Sequence, residues 1–424
     1  MENILLDSLK EKRIRIGAYT PVKYPDEAHI KALATAGIDF AVVNLDMIPE
    51  DKQKDVFAWL AKYGIECTVR GGAFMKYYEK AGMFDFDKAD DAWFLDEPSC
   101  KAYTYVDEPG TEHFEVLGKE VKRFQETYPG KRAYINLLPM YANAAQLTGG
   151  AWKAPIEYYE QPSTNFQQYI DEYVEKVPTD YICTDIYPHR RAPHPDYPDM
   201  FPAKYVKTTY PHYAKSIEIV ADACRASGRE FWVCIQTCSW TRGVREPDEY
   251  ELRWQAYSML SYGATTLLYY IFATNSCHTG CVMNERGETT KLFYASKRLC
   301  EGLKRLSDVY LSYKNLGAFN VNSTPETTPY LEMDNPYKDF KTISEIKCDA
   351  PLMIGCFEKK EGEGSAFTLV NMQDFANPKT ISAKLKIKGN VTMYRDGVPT
   401  KLSSCDDWYE FTLLQGDGIF VTVD

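Results

Sequence analysis

The sequence predicts an α/β fold: a (β/α)8 TIM barrel followed by a small all-β antiparallel sandwich. Three observations predict it. Eight short apolar runs lie within residues 1–316, most followed by an amphipathic segment. The runs are nearly continuous in apolar residues, as strands are when helices cover both sheet faces. Beyond Leu316 the texture changes to alternating strands punctuated by turns such as Arg395-Asp396-Gly397 and Gln415-Gly416-Asp417-Gly418. The expected domains are therefore residues 1–316 and 317–424. An open doubly wound sheet is the competing architecture, but no GxGxxG follows the first strand, and eight runs favour a closed barrel.

The elements follow in order. Arg15 to Tyr19 is a strand ended by Thr20-Pro21, and Asp26 to Gly37 is a helix stopped by its glycine. Phe40 to Asp46 is the second strand, followed by a helix over Asp51 to Gly64 and a third strand over Glu66 to Arg70. Gly71 to Cys100 is less regular, with a helix expected around Trp93 and Phe94. Lys101 to Val106 is the fourth strand, broken by Asp107-Glu108-Pro109-Gly110, and a helix runs from Glu112 to Tyr128. Arg132 to Leu138 is the fifth strand. The loop from Pro139 to Pro162 exceeds a plain connection, which points to a binding loop. A helix over Phe166 to Val177 precedes the sixth strand, Tyr181 to Tyr187. The prolines of His189 to Pro202 predict an irregular loop. Helix Tyr213 to Gly228, strand Phe231 to Gln236, helix Tyr250 to Gly263, strand Thr265 to Phe272 and helix Leu292 to Tyr313 complete the barrel. Six strands of the second domain are expected at Met353 to Phe357, Phe367 to Asn371, Ile381 to Ile387, Val391 to Tyr394, Trp408 to Leu413 and Gly418 to Val423.

Composition narrows the function. Lys+Arg total 49 and Asp+Glu 60, a net charge of −11, the wrong sign for a phosphate-backbone binder, so no nucleic-acid partner is expected. The 32 Tyr, 20 Phe and 7 Trp suit stacking against sugar rings and equally suit an aromatic core. No 18-residue apolar stretch exists, so no membrane span is expected. Charges in the first dozen residues interrupt any signal-peptide core, and the expected location is the cytoplasm, or outside the cell if a signal has been removed. The 12 Cys are spread along a long chain, which reads as reduced thiols rather than a disulfide framework. Cys277, His278 and Cys281, with Cys238 or His189 as a remote fourth ligand, lack the paired knuckles of a structural zinc site; neither a metal nor a cofactor is expected.

Barrel chemistry sits at the C-terminal ends of the strands. The residues there are Tyr19 on strand one, Asn44 and Asp46 on strand two, Arg70 on strand three, and Asp107 and Glu108 on strand four. Strand five brings Asn136; strand six brings Asp185, Tyr187 and His189. Strand seven brings Gln236, Ser239 and Trp240, with Arg242 and Arg245 beyond, and strand eight brings Tyr270, Phe272 and Asn275. This is a polar bowl floored by aromatics, suited to a hydroxyl-rich carbohydrate. The candidate substrate-binding residues are Tyr19, Asp46, Arg70, Asp107, Asn136, Tyr187, His189, Gln236, Trp240 and Tyr270. Trp152 is a further aromatic candidate, while Trp232 reads as barrel packing. Arg70, Arg242 and Arg245 suit either a sugar carboxylate or surface ion pairs.

The run Tyr103-Thr104-Tyr105-Val106-Asp107-Glu108-Pro109 resembles the strand-four acid/base segment of clan-A glycoside hydrolases. The segment Phe231 to Phe272, with Arg253, Gln255, Ala256 and Gly263-Ala264, resembles strands seven and eight of beta-galactosidase-like members. The resemblance implies a glycoside hydrolase with Glu108 as general acid. A carboxylate opening a helix next to Pro109 is the other reading of Glu108. The resemblance also implies a nucleophilic Glu at the end of strand seven, where this chain has Gln236, and an amide cannot replace a carboxylate nucleophile. Asp185 is then the expected second catalytic carboxylate, with Glu246 as the alternative. A shorter side chain one strand away leaves room for water, which predicts an inverting reaction. A carbohydrate-binding barrel without catalysis and a metal-dependent barrel enzyme using His189 and Asp185 are the alternatives.

Overall fold

Each expected barrel strand forms, within a few residues of its predicted limits. The strands are β1 (Arg15–Tyr19), β2 (Phe40–Asn44), β3 (Glu66–Arg70), β4 (Cys100–Thr104), β5 (Arg132–Tyr134), β6 (Tyr181–Asp185), β7 (Glu230–Gln236) and β8 (Ala264–Tyr270). The computed structural model describes residues 13–20, 25–78, 81–151, 165–240, 243–376 and 378–424. The sheet is parallel, in the order β5-β4-β3-β2-β1-β8-β7-β6. Its two edges meet at the parallel bridge Leu137–Thr184, where the Leu137 N–H donates to the Cys183 carbonyl at 2.8 Å. That bridge closes the ring.

The helices are α1 (Glu27–Ala36), α2 (Glu50–Tyr63), α3 (Phe114–Thr127), α4 (Phe166–Lys176), α5 (Tyr213–Ser227), α6 (Glu249–Ser261) and α7 (Lys291–Leu311). Local chemistry sets their ends. The Asp26 carboxylate accepts from the His29 N–H at 2.9 Å, and Gly37 closes α1 in the left-handed region at φ 89°. Asp248 and Glu251 form a reciprocal capping box on α6.

Aromatics fill the barrel. Tyr181 stacks on Trp232 at 4.2 Å, and Phe40 and Tyr134 lie 6.1 and 6.5 Å from Trp232. A Cβ on Gly17 would collide with the Phe40 ring, so this glycine makes room for the plug. Trp232 is thus interior packing, as expected.

The second domain contains β9 (Tyr313–Val321), β10 (Ile343–Lys347), β11 (Leu352–Lys359), β12 (Ser365–Asn371), β13 (Ile381–Ile387), β14 (Val391–Arg395), β15 (Val398–Lys401), β16 (Trp408–Leu413) and β17 (Gly418–Val423). A six-stranded sheet, β9-β11-β12-β17-β14-β15, packs on the three-stranded sheet β10-β13-β16. Along β11 the side chains alternate. Leu352, Ile354 and Cys356 enter the sandwich core, while Met353 and Phe357 join the barrel's core. Gly355 lies on the same face as these two, where a Cβ would collide with the Ser261 carbonyl of α6. The large sheet is therefore covered on both sides.

Three regions of the barrel differ from expectation, and the second domain has three strands more than expected, β9, β10 and β15. The proline-rich stretch after β6 is not irregular: His189–Pro193 and Tyr205–Thr209 form an antiparallel hairpin. Its prolines stand at a strand end and in the tip, where no ladder N–H is required of them. Trp93–Asp96 is a short 3-10 helix, and Phe74–Tyr78 and Ala81–Phe84 form a second hairpin. The loop after β5 contains a short helix, Ala144–Gly149. Residues 152–162 of that expected binding loop, with Trp152, lie outside the described residues, as do Arg242 and the first 12 residues.

Candidate active site

The Asp107–Gly110 turn follows β4, and neighbouring backbone holds it on several sides. The Glu108 N–H donates to the Asn136 carbonyl at 2.8 Å, and the Glu108 carbonyl accepts from the Ala151 N–H at 3.0 Å. The Tyr169 hydroxyl donates to the Pro109 carbonyl at 2.7 Å. A Cβ on Gly110 would collide with the Thr148 carbonyl, so only glycine allows this approach. Glu108 itself has φ 50°, a left-handed conformation unfavourable for a non-glycine residue and here imposed by these contacts.

Strand geometry converges three carboxyls. Asn136 Nδ2 donates to Asp185 Oδ1 at 3.0 Å and also hydrogen-bonds Asp107. The thiols of Cys183 and Cys234 donate to Asn136 Oδ1 at 3.4 and 3.6 Å, which fixes the amide's orientation. Glu108 and Asp185 are close enough for each carboxyl to perturb the other's ionisation. Asp185 is only 4% exposed. Asp107 and Glu108 keep some solvent access, yet enough protein surrounds them to penalise ionisation.

Electrostatics separate the three. Burial, the charges of Asp185 and Asp107, and the hydrogen bond to Asp185 push the Glu108 carboxyl well above its usual range. Burial raises Asp185 to about 7, against the hydrogen bonds from Asn136 and Glu108. Asp107 is raised by burial, opposed by the Arg70 guanidinium and Asn136. All three shifts run in the same direction, toward the neutral carboxyl.

An aromatic wall rises from the other strands. Tyr19 meets Tyr270 edge-on at 5.6 Å, and its hydroxyl lies 3.0 Å from that of Tyr134. Tyr187 lies 5.3 Å from Tyr270 and 4.8 Å from Trp240, whose ring is partly exposed. The structure thus gathers Tyr19, Arg70, Asp107, Glu108, Asn136, Asp185, Tyr187, Trp240 and Tyr270.

Other expected residues are elsewhere or occupied. Gln236 is fully buried: its Oε1 accepts the His189 N–H at 2.9 Å, and its Nε2 contacts the carbonyls of His189, Cys238 and Arg245. Its amide ties loops together and has no face toward the bowl. His189 is fully buried between Trp254 and Phe375, with ring centroids at 5.8 and 5.6 Å; burial lowers it to about 3, so the imidazole is neutral. Asp46 is exposed and accepts the Gly72 N–H at 2.9 Å, bracing the turn after β3. Arg245 is buried in a bidentate pair with Glu251, both contacts 2.6 Å, so it offers nothing to a sugar carboxylate. Cys277 is exposed on a loop, while Cys238 and Cys281 touch each other beneath Trp240 and Tyr270. Among the described residues no group of three His, Cys, Asp or Glu side chains is placed to hold a metal.

Tyr134 escaped the sequence reading, and His278 was weighed there only as a metal ligand. Tyr134 lies two residues before Asn136 and so shares its side of the strand, a signal that was present. His278, 5.3 Å from the Tyr270 ring, arrives on a loop whose path no local pattern reveals.

No protein-family model matches the chain, and no curated protein does. Solved structures do. The GH42 beta-galactosidase Gan42B from G. stearothermophilus aligns with TM-score 0.55 at 9% identity, over 97% of this chain and 98% of that one. A catalytic mutant of Gan42B aligns at 0.51 over the same shares, again at 9% identity. A beta-galactosidase from the psychrophilic Marinomonas ef1 aligns at 0.46 and 10% identity, over 70% of this chain but only 62% of that one. At these identities the likeness is one of fold: the chain shares the barrel-and-sandwich architecture of Gan42B.

Proposed function

We propose that the protein is a carbohydrate-acting hydrolase that cleaves a glycosidic bond with Glu108 as general acid. The observation that carries this is the clustering of Glu108 and Asp185 beside the bowl's aromatic wall, where burial raises both carboxyls above their usual range. A general acid must be protonated at working pH, and two close carboxyls in a desolvated site retain one proton between them. The fold shared with Gan42B is compatible with this reading.

The steps use this chain's own groups. A sugar ring packs against Trp240 and Tyr270, with Arg70, Asp107 and Asn136 available to its hydroxyls. The glycosidic oxygen becomes the partner of the Glu108 proton. Glu108 delivers that proton as the bond breaks, and Asp185, left ionised, accepts a proton from an attacking water. Carboxyl pairs that flank a glycosidic bond lie roughly 5–5.5 Å apart in retaining enzymes and 6.5–9.5 Å apart in inverting ones, and the shorter Asp185 side chain leaves room for the attacking water. Proton NMR of the first-formed sugar is expected to show inversion, and retention ends the role given to Asp185.

Glu108→Gln is expected to lower kcat by about 10²–10⁴, the usual share of a general acid, with sugar binding kept. A panel of aryl glycosides tests this, and an undiminished rate removes Glu108 from the mechanism. One observation favours a second reading, a non-catalytic sugar-binding barrel: the strand-seven position of the usual nucleophile holds an amide locked to backbone. Calorimetric binding by a parent protein that turns over no glycoside supports that reading.

A further inference from the structure

Two buried thiols lie beneath the carboxyl cluster, and the reaction set out above makes no use of them. Cys183 and Asp185 stand two residues apart on β6, and Cys234 is the register partner of Asp185 on the parallel strand β7. Two-residue spacing puts Cys183 and Asp185 on one side of β6. Both sulfurs are fully buried, and both reach one atom: the Cys183 thiol donates to Asn136 Oδ1 at 3.4 Å and the Cys234 thiol at 3.6 Å. The Tyr134 hydroxyl lies 3.6 and 4.0 Å from the same two sulfurs.

An amide oxygen has two lone pairs, enough for both S–H donors. Burial pushes the Cys234 thiol well up, so it keeps the proton it donates. With Oδ1 engaged by the thiols, the other end of the amide meets the carboxyl, and Asn136 Nδ2 donates to Asp185 Oδ1 at 3.0 Å. A half-turn of the amide would reverse this. Two oxygens would then face each other, which requires a proton on Asp185, and Nδ2 would meet two sulfurs, which are weak acceptors. Apolar side chains in place of both thiols would still pack the barrel, but they would leave Oδ1 without these donors.

We propose that Cys183 and Cys234 are positioning residues that act through Asn136: their S–H donors turn the N–H side of the amide toward Asp185, which favours the ionised carboxyl that the reaction needs as base. The inference rests on the reading of Asp185 as that base. The other groups facing Asp185 are Asp107 and Glu108 from the turn after β4, Tyr187 beyond β6 and Tyr270 on β8. Substituting the thiols leaves all four in place.

Carbon NMR of protein labelled at the aspartate carboxyls reads the titration of Asp185 without turnover, with Asp185→Asn giving the assignment. The double variant Cys183→Ala/Cys234→Ala is expected to raise the Asp185 midpoint by about one pH unit or more, a tenfold change in ionisation. The double variant Cys183→Ser/Cys234→Ser keeps a donor at each position and is expected to keep the parent's midpoint. The limb of the pH–rate profile that needs ionised Asp185 is expected to move up in the alanine pair and to stay in the serine pair. Circular dichroism checks each fold. If the alanine pair does not fold, Cys183→Ala and Cys234→Ala decide singly, each removing one donor and each expected to raise the midpoint by part of that amount. The parent's midpoint in a folded alanine pair, or in both single variants, overturns the proposal, since the thiols are then packing alone. A serine pair that shifts as far as the alanine pair does so too, since volume rather than donation would then matter. A protein that cleaves no glycoside but shows the shift retains the positioning of Asp185 and loses the hydrolase. One that cleaves glycosides with the same pH profile in parent and alanine pair retains the hydrolase and loses the positioning.

Discussion

Glu108 and Asp185 show how much of a residue's chemistry depends on its neighbours. Neither carboxyl is unusual in sequence. Burial, with the repulsion of neighbouring carboxylates, raises both above the usual carboxylate range. The same shift has a stability consequence. The folded pKa of Asp185, about 7, stands above an unfolded value near 3.9, so the folded chain holds a proton that the unfolded chain releases. Asp185 costs nothing below pH of about 4, and stability is lost as pH rises through about 7. Asp185→Asn is therefore expected to stabilise the fold by on the order of 2 kcal/mol at pH 8, fading toward pH 4. Thermal unfolding across pH reads this directly; a gain independent of pH contradicts it.

At the scale of the element, the end of β7 decides more than its residue type suggests. The sequence resemblance aligned Gln236 with a nucleophilic glutamate, but its Nε2 faces three carbonyl oxygens. Glu has no N–H to offer them. Gln236→Glu is thus expected to destabilise the protein by about 2–4 kcal/mol, through lost donors and a buried charge, and to create no nucleophile. Chemical denaturation and a glycoside assay check both halves. The hairpin after β6 carries a related lesson. Its prolines read as an irregular loop, yet they occupy a strand end and a tip, and the hairpin pairs with the loop after β7 through the Arg190–Val244 bridge.

Across the whole molecule, the large sheet of the sandwich is a second wall for the barrel. Ser261 Oγ and Thr368 Oγ1 lie 2.7 Å apart across the junction, and Arg253 of α6 reaches Asp417 at 2.8 Å and also pairs with Asp396. Gly355 permits the contact with the Ser261 carbonyl. Gly355→Val is expected to cost about 1–3 kcal/mol by overpacking and to lower one shared unfolding transition rather than split it. Calorimetry distinguishes the cases: two separate transitions, or an unchanged midpoint, count against a shared junction.

The order of elements, the barrel, the second all-β domain and the carboxylates at the end of strand four were legible in the sequence. Apolar periodicity, glycine stops and turn residues are local, and they act over a few residues at a time. The strands that escaped, β9, β10 and β15, are the less regular or more exposed ones, where partner sheets rather than pattern impose pairing. Which end-of-strand residues face the bowl was decided only by tertiary structure. Asn136 and Asp185 turn inward to the same carboxyl cluster, whereas Gln236, His189 and Arg245 are consumed by buried contacts with loops and helix α6. Both groups are polar residues at or just beyond the C-terminal ends of barrel strands. What separates them is desolvation: a buried polar group must take whatever partner lies within reach, and that partner is set by chain segments distant in sequence.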